Sequence, residues 1–362
     1  MKTCFGLLPE GRNGVASSAE ITVAVCTGLA VAALSGAAPA YSENTVDFYR
    51  GKTITLQIGY PPGGGYDIYG RHLARFYGRH IPGQPAMVSQ NVPGAGSLKL
   101  TNAIYNTAPR DGTVIGAIGR EHVLSPLLGL AGVQFDATKI NWLGNLDSAA
   151  SLCVAWHSSP IRSMDDLRTK ELTVGGTGPG SPMVVMPTVL KHVLGLNFKL
   201  VAGYPGGSDV NLAMERGEVQ GRCAWSYASL KSTQAEFITD KKIRFLSVST
   251  LKRHPELPEV PTVLEFAKTD SDRQILELVL TSQVMARPFI APPELPADRL
   301  AALRAAFSAT VRDKEFLAEA EKLKLELAPM DSDEITEVIA RVYATPKPVV
   351  QAAIEAMQRA ER

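Results

Sequence analysis

The sequence predicts an α/β fold with largely parallel sheets, arranged as two lobes. Apolar, strand-like segments alternate with helix-like segments along most of the chain, which is the pattern of βαβ units. The 362 residues are more than one hydrophobic core ordinarily accommodates, so two cores are expected. Three glycine-rich turns join strand-like to helix-like segments, and they are spread over both expected lobes.

Nine segments are predicted to be strands because they are short and apolar and are bounded by turn-forming residues. They are Thr53–Ile58, Ala86–Gln90, Val114–Ile118, Leu152–Ala155, Leu172–Val174, Phe198–Val201, Gln220–Ala224, Phe245–Ser249 and Val284–Ile290. The helices predicted between them are Tyr66–Gly78, Ser97–Asn106, Met164–Arg168, Met183–Leu194, Gly207–Arg216 and Leu230–Thr239.

The last part of the chain is predicted to be helical. Apolar residues recur at three- and four-residue spacing over Leu300–Val311 and again over Ile335–Val342. Asp298 and Ser332 are suitable N-terminal caps for these two helices. Such stripes are typical of packing faces, so we assign both helices to the core of one lobe.

The first 40 residues have the pattern of an export signal. Lys2 and Arg12 precede the apolar run Ile21–Leu34, and Ala38-Pro-Ala40 fits the small-residue cleavage pattern before Tyr41. The apolar run is short for a membrane-spanning helix. We therefore expect a protein that is exported and cleaved near Ala40.

Two cysteines, Cys153 and Cys223, would remain after cleavage. In an oxidising compartment such a pair is a candidate disulfide. Two buried free thiols on adjacent strands explain the same residues, because cysteine is common in protein cores.

Composition and motifs exclude several classes of function. A net charge of +1 argues against a surface for nucleic acid or for an anionic membrane. The six histidines are scattered without the spacing of zinc ligands, so no metal site is expected. Neither a nucleotide-binding fingerprint nor a Gly-x-Ser-x-Gly elbow is present. We expect neither an enzyme nor a bound cofactor.

The turn Tyr60-Pro-Pro-Gly-Gly-Gly-Tyr-Asp67 carries the strongest functional signal. It joins a predicted strand to the start of a predicted helix, where glycines permit close approach and the first helical amides are free to bind an anion. Similar turns occur at Asn91–Ser97 and Gly175–Ser181. Each alone is equally explained as a tight connection, whereas all three together favour an anion-binding cleft. The amides expected there belong to Gly63, Gly64, Gly65 and Tyr66 in one lobe and to Thr177, Gly178, Gly180 and Ser181 in the other.

The order of these turns resembles the solute receptors of tripartite tricarboxylate transporters, the Bordetella uptake gene family. Tyr60–Asp67 resembles that family's Pro-Pro-Gly-Gly-x-x-Asp turn, and Asn91–Ser97 resembles its Asn-Arg-Pro-Gly-Ala-Gly-Gly turn. Further matching segments are Ala108-Pro-Arg-Asp-Gly-Thr113, Tyr204-Pro-Gly-Gly207, Arg216-Gly-Glu-Val219, Leu257-Pro-Glu-Val-Pro-Thr262 and Ala291-Pro-Pro-Glu-Leu-Pro296. The matches run in order from about residue 46 to 330.

The resemblance implies a two-lobe periplasmic-binding-protein fold of the Venus-flytrap, type II, kind. Lobe one would comprise residues 41–149 and 243–362, and lobe two residues 150–242. The implied ligand is a small organic carboxylate, held between the lobes by loop amides and ordered water. The implied partners are integral-membrane transporter subunits, and we expect a periplasmic monomer. The candidate ligand-binding residues are Tyr60, Pro62, Gly63, Gly64, Gly65, Tyr66, Asp67, Ser97, Arg120, Thr177, Gly178, Gly180, Ser181, Tyr204, Gly206, Gly207 and Trp225.

Three features depart from the family's pattern. Gly119–His122 carries charges where small residues are usual, Gly221–Ser226 replaces a more aliphatic and acidic strand end, and tyrosines crowd the first turn. Arg120 follows a predicted strand at the edge where ligands of open α/β sheets bind. Its guanidinium could bind a carboxylate through two hydrogen bonds. The competing explanation is an internal salt bridge to Glu121 or to another acid at the lobe rim.

Two other functions fit the same fold. A ligand sensor would present the bound carboxylate to a membrane histidine kinase and transport nothing. A periplasmic enzyme on the same lobes is disfavoured, because the sequence contains no recognisable nucleophile–base pair or metal set.

Overall fold

The computed structural model describes residues 43–148 and 150–358. The expected export signal, residues 1–40 with its cleavage site at Ala40, lies outside the described residues. The described chain forms two five-stranded sheets with helices packed on them. This is the predicted α/β, two-lobe class of fold.

The first sheet has the strand order β2-β1-β3-β10-β4. Its strands are β1 (Thr53–Ile58), β2 (Ala86–Asn91), β3 (Val114–Ala117), β4 (Asn141–Asn145) and β10 (Pro288–Ala291). β1 runs parallel to β2 and β3, whereas β10 runs antiparallel to β3 and β4.

The second sheet has the order β7-β6-β8-β5-β9. Its strands are β5 (Ser151–Trp156), β6 (Leu172–Gly175), β7 (Phe198–Val201), β8 (Gly221–Ser226) and β9 (Ile243–Ser249). β6 is parallel to β7 and β8, and β5 is antiparallel to β8 and β9. Both sheets are therefore mixed and not largely parallel as predicted. In each sheet the first strand after the chain crosses over, β5 or β10, runs antiparallel to its neighbours.

Twelve α-helices accompany these strands in the described part of the chain. They are α1 (Glu43–Tyr49), α2 (Gly65–His80), α3 (Leu98–Asn106), α4 (Pro182–Leu194), α5 (Gly207–Glu215), α6 (Tyr227–Thr233), α7 (Ala235–Thr239), α8 (Asp270–Thr281), α9 (Ala297–Thr310), α10 (Lys314–Lys322), α11 (Ser332–Tyr343) and α12 (Lys347–Gln358). Short 3-10 helices cover Ala95–Ser97, Arg120–Val123, Asp165–Arg168, Val263–Phe266 and Ser282–Val284. None of the described helices is long and apolar enough to cross a membrane.

Both predicted caps of the tail helices are off by one or two residues. The cap of α9 is Pro296, and Asp298 lies in its first turn. The cap of α11 is Asp331, whose carboxylate accepts hydrogen bonds from the amides of Asp333 and Glu334 at 3.0 Å each. A carboxylate is at least as good a cap as the serine hydroxyl that follows it, so Asp331 takes the position expected for Ser332.

The first sheet has its own core. Leu303 and Phe307 of α9 are buried with β1 residues such as Ile54 and Leu56, as predicted for that stripe. The second stripe, Ile335–Val342, instead joins a core that also contains residues of the second sheet.

The predicted lobe boundaries stay a prediction. β9 pairs with β5 through Ser249, so a boundary drawn by sheet membership would fall after that residue.

Candidate functional site

A cavity opens between the two sheets where the N-termini of α2, α4 and α5 approach one another. The space open to the centres of water molecules is about 80 Å³, several times the roughly 10–15 Å³ that one water needs. It is lined by Tyr60, Pro61, Gly64, Gly65, Tyr66, Arg120, Pro182, Met183, Gly207, Ser208, Asn211, Arg222, Ala224, Trp225, Ser226, Ser229, Thr233 and Arg287. The set contains three arginines and no carboxylate.

The first glycine turn forms one wall of this cavity. Gly64 is the N-cap of α2, in an extended conformation, and Gly65 is the first helical residue. The rings of Tyr60 and Tyr66 stack on each other with 4.2 Å between their centroids. The turn therefore presents helix-terminal amides beside a rigid aromatic pair, and the helix dipole favours an anion there.

The opposite wall belongs to the second sheet. Pro182 and Met183 begin α4, and Gly207 and Ser208 begin α5. Replacing Gly207 by a larger residue would bring a side chain against the Arg222 guanidinium, since a Cβ at this position would lie 3.0 Å from Nη2. A side chain at this position would therefore push the guanidinium by a few tenths of an ångström, whereas glycine lets α5 approach it without displacement.

Arg120 is buried, with 2% of its surface exposed, on the short helix that follows β3. Its Nη2 donates to Ser151 Oγ at 2.8 Å and to the Ala224 carbonyl at 3.3 Å. No carboxylate oxygen of the described residues lies within 4.0 Å of the Arg120 guanidinium nitrogens, the distance that defines a salt bridge. The structure therefore contains neither the competing pair with Glu121 nor one with another described acid. Nε is buried without a hydrogen-bond partner.

Arg222 lies on β8 and is equally enclosed. Its Nη1 donates to the Gly207 carbonyl at 2.9 Å and to Asn211 Oδ1 at 2.6 Å. The guanidinium lies over the Trp225 ring, 4.5 Å from its centroid. Burial, with a smaller effect of the nearby Arg120 charge, lowers the pKa of Arg222 to about 9. It remains a cation at neutral pH.

Arg287 precedes β10 and is the third buried guanidinium. Its Nη2 donates to Ser229 Oγ at 2.7 Å, and its Nη1 donates to the Ala286 carbonyl at 2.7 Å. Its guanidinium lies 4.7 Å from the Tyr66 ring centroid. Like Arg120 and Arg222, it leaves Nε buried and unpartnered within the described chain.

Two acids lie near the cavity without lining it. Burial raises the pKa of Glu121 to about 8, and its Oε1 accepts a hydrogen bond from the Tyr60 hydroxyl at 3.2 Å. Burial also raises the pKa of Asp147 to about 6, against the opposing charge of Arg287. At neutral pH Glu121 is thus mostly protonated, and the positive charge of the cavity is only partly offset.

Seven of the candidate residues from the sequence meet at this cavity. They are Tyr60, Gly64, Gly65, Tyr66, Arg120, Gly207 and Trp225.

The remaining first-lobe candidates lie beside the cavity. Asp67 accepts from the Gly63 amide at 3.0 Å and from Arg71 at 2.8 Å, so it shapes the turn. Ser97 Oγ accepts from the Gly119 amide at 2.7 Å, and Pro62 is exposed.

The third glycine turn is not at the cavity. It packs against the second glycine turn, since a Cβ on Gly178 would lie 2.2 Å from Ala95 Cα. The hydroxyls of Thr177 and Ser181 are buried and find no hydrogen-bond partner among the described residues. Gly180 lines a smaller neighbouring cavity with Glu121. A direct part for this turn in ligand binding stays a prediction.

The last two candidates flank α5 outside the cavity. Tyr204 donates its hydroxyl to Glu218 at 3.3 Å. Gly206 is packed on Pro61 of the opposite wall, where a Cβ would lie 2.6 Å from the proline Cγ.

The sequence analysis missed several lining residues, of which Arg222 and Arg287 matter most. Each stands alone in an otherwise apolar segment, Gly221–Ser226 and Met285–Ala291. A charge inside a buried strand must be compensated, and that signal was available. Ala224 adopts a positive φ of 58° at a register shift between β5 and β8. This bulge lets Arg222, Ala224 and Trp225 all reach the cavity.

Cys153 and Cys223 face each other on the neighbouring antiparallel strands β5 and β8. The structure joins their sulfur atoms in a disulfide, which ties β5 to the residue following Arg222. The bond would hold the bulged part of β8 in place.

Comparisons with known proteins address the family of the chain. Residues 72–354 match the model of the tripartite tricarboxylate transporter family receptor. A protein of Cupriavidus necator, "UPF0065 protein in gbd 5'region", is 28% identical over 246 residues, 65% of this chain and 71% of its own. A protein of Pseudomonas sp. (strain P51), "UPF0065 protein in tcbD-tcbE intergenic region", is 26% identical over 239 residues, 61% of this chain and 65% of its own.

Solved structures share the fold at low identity. The periplasmic binding protein BugD is 20% identical with a TM-score of 0.66, covering 86% of this chain and 99% of its own. R. palustris Rpa4515 with adipate is 18% identical with a TM-score of 0.65, covering 83% of this chain and 97% of its own. MatC (Rpa3494) from Rhodopseudomonas palustris with bound malate is 16% identical with a TM-score of 0.65, covering 83% of this chain and 99% of its own.

Proposed function

This chain belongs to the tripartite tricarboxylate transporter receptor family, and we propose that it binds a small organic carboxylate between its two sheets. In this proposal the receptor works as a monomer in the periplasm and delivers the bound carboxylate to the membrane subunits of a transporter of the same class. Family membership supports a receptor and not a catalyst.

The observation that carries the proposal is the composition of the cavity wall. Three buried guanidinium groups and the N-termini of α2, α4 and α5 line it, and the lining set has no carboxylate. Free amides and the dipole at a helix N-terminus each favour a bound anion. Guanidinium groups add hydrogen bonds with carboxylate geometry. The wall is therefore suited to a small anion.

The structural neighbours agree with a carboxylate as that anion. Two of them were solved with adipate and with malate. At their level of identity they show the fold alone, so the ligand class is carried to this chain only as part of the proposal.

A thermal-shift screen of residues 41–362 against mono-, di- and tricarboxylates tests ligand binding. A ligand that binds only the native state raises the melting temperature, and the rise grows as its concentration exceeds the dissociation constant. We expect such a dose-dependent rise for at least one carboxylate, confirmed by calorimetry. If no carboxylate shifts the melting temperature at millimolar concentration, the proposal is wrong.

Delivery to a transporter needs a separate experiment. Deleting the receptor gene should abolish uptake of the radiolabelled ligand by intact cells, and expressing the wild-type chain should restore it. Unchanged uptake together with loss of a ligand-dependent transcriptional response would favour the sensor function instead.

A further inference from the structure

We propose that Arg120, Arg222 and Arg287 are specificity-determining residues that select a ligand with two or more separate anionic groups. The ligand would contact Arg222 beside the start of α5 and Arg287 beside the first turn of α2, and the Arg120 guanidinium, which reaches Ser151 and Ala224 of the second sheet, adds a third positive charge. This inference rests on the proposed function and adds the charge and shape of its ligand.

The first argument is that no carboxylate contacts the three guanidinium groups. The three residues are 2%, 5% and 3% exposed, and no carboxylate oxygen within the described ranges lies within 4.0 Å of any of their guanidinium nitrogens. A buried charge without a counter-ion is costly, and buried charges in proteins are ordinarily paired. The two nearby acids offset these charges only in part, because burial keeps Glu121 mostly protonated at neutral pH and leaves Asp147 as the charged one. We infer that the remaining counter-ions come with the ligand.

The second argument is that the guanidinium groups are already oriented. Every hydrogen bond they make is to a neutral acceptor, namely a hydroxyl, an amide oxygen, a thioether or a backbone carbonyl. Arg222 and Arg287 also stack on Trp225 and Tyr66. These contacts fix the side chains without consuming their charge, and each Nε stays unpartnered and buried. Pre-orientation of this kind lowers the entropy lost on binding.

The third argument concerns where the charges lie. Arg222 is held by the start of α5 on the second sheet, whereas Arg287 is held against Tyr66 beside the first turn of α2. A monocarboxylate could neutralise one of these groups and would leave the other without an anionic group of the ligand beside it. A ligand with anionic groups at two ends can neutralise both. Affinity should therefore rise with the number of separate anionic groups.

Calorimetry on residues 41–362 tests this with three probes that carry one, two and three carboxylates: butanoate, glutarate and propane-1,2,3-tricarboxylate. We expect the dissociation constant to fall at least about tenfold from butanoate to glutarate, the change that one added charge-assisted hydrogen-bonded contact produces. Inorganic phosphate, whose two charges share one group, should bind more weakly than glutarate. Phosphate binding as tightly as glutarate would contradict the requirement for separate groups.

Variants then assign the effect to residues. Arg222→Gln and Arg287→Gln should each weaken glutarate binding at least about tenfold and weaken butanoate binding less, so the preference between the two probes contracts. Arg222→Lys keeps a charge and should retain part of the preference. Arg244→Gln is the matched control, because Arg244 also donates to backbone carbonyls but does not line the cavity.

The melting temperature of each ligand-free variant separates selection from folding. Removing an unpaired buried charge should leave it unchanged or raise it, whereas a residue needed only for packing would lower it. Equal affinity of the wild-type chain for butanoate and glutarate would overturn this inference while leaving the proposed function intact. Binding of none of the three carboxylates at millimolar concentration would contradict both.

Discussion

Gly64 provides the sharpest test of where the ligand binds. It caps α2 with φ −87° and ψ 167°, a conformation that every L residue adopts readily. A Cβ built on Gly64 would lie 3.9 Å from Ser208 Oγ on the opposite wall and meet nothing closer. Alanine therefore fits in ordinary contact, whereas the γ-methyls of valine extend about 1.5 Å further into the cavity and toward Ser208.

The substitution should separate binding from stability. Replacing glycine restricts the unfolded chain, which stabilises by about 0.4–1 kcal/mol, and replacing it at an N-cap costs a similar amount. Gly64→Val should therefore change the free energy of unfolding by less than about 1 kcal/mol. Crowding a packed space costs about 1–3 kcal/mol, so we expect the dissociation constant to rise by roughly five- to more than a hundredfold.

Calorimetry and thermal unfolding of Gly64→Ala, Gly64→Val and Gly64→Val/Ser208→Gly provide the measurement. We expect a small loss of affinity for alanine, a large one for valine, and partial recovery in the double variant because removing the Ser208 side chain restores space. If Gly64→Val bound a confirmed carboxylate with unchanged affinity, the placement of the ligand against this turn would be refuted.

Three further predictions follow from the described contacts. Arg120→Ala should weaken binding of a confirmed ligand by more than about 1.5 kcal/mol if the guanidinium binds it directly, and a calorimetric loss within error would contradict that contact. Mass spectrometry of unreduced protein should find Cys153 and Cys223 joined, and reduction should lower the free energy of unfolding by about 2–4 kcal/mol; two free thiols would refute this. The folded-state pKa of Glu121 is about 8 against an ordinary value of 4.5, so the folded state binds the extra proton between these values and stability falls as pH rises from about 4.5 to 8. Glu121→Gln should remove a few kcal/mol of that loss, because one pKa unit corresponds to about 1.4 kcal/mol. Denaturation curves of the variant at pH 5, 7 and 9 measure this. A free energy of unfolding that depends on pH as steeply as in the wild type would contradict the prediction.

Local patterns predicted the elements that local interactions stabilise. The strand Thr53–Ile58 has the predicted bounds, and α4 begins at Pro182, one residue before its predicted start. The turn between β1 and α2 could also be placed, because its glycines and the adjoining apolar runs leave few other conformations. Elements with weaker local signals were missed. β4 was not predicted because Asn141 and Asn145 at its ends are polar, and the predicted helix Leu230–Thr239 is broken into two at Gln234.

The candidate site could be predicted only where it follows directly from a strand end. Tyr60, Gly64 and Tyr66 come from one turn, so a single local motif was sufficient to place them together. Arg222 and Arg287 are 65 residues apart in the sequence, and they reach the same cavity through two different sheets. No periodicity or spacing relates such residues.

The sequence by itself determined the α/β class of the fold, the family, and the glycine turn that forms one wall of the cavity, since each depends on residues that are neighbours in the chain. The tertiary structure alone decided which charges share that cavity. The antiparallel returns of β5 and β10 and the bulge at Ala224 bring Arg222 and Arg287 to one space. The lining that results contains no carboxylate. Electrostatic interactions depend on distance through space, and distances between remote residues exist only once the two sheets have packed.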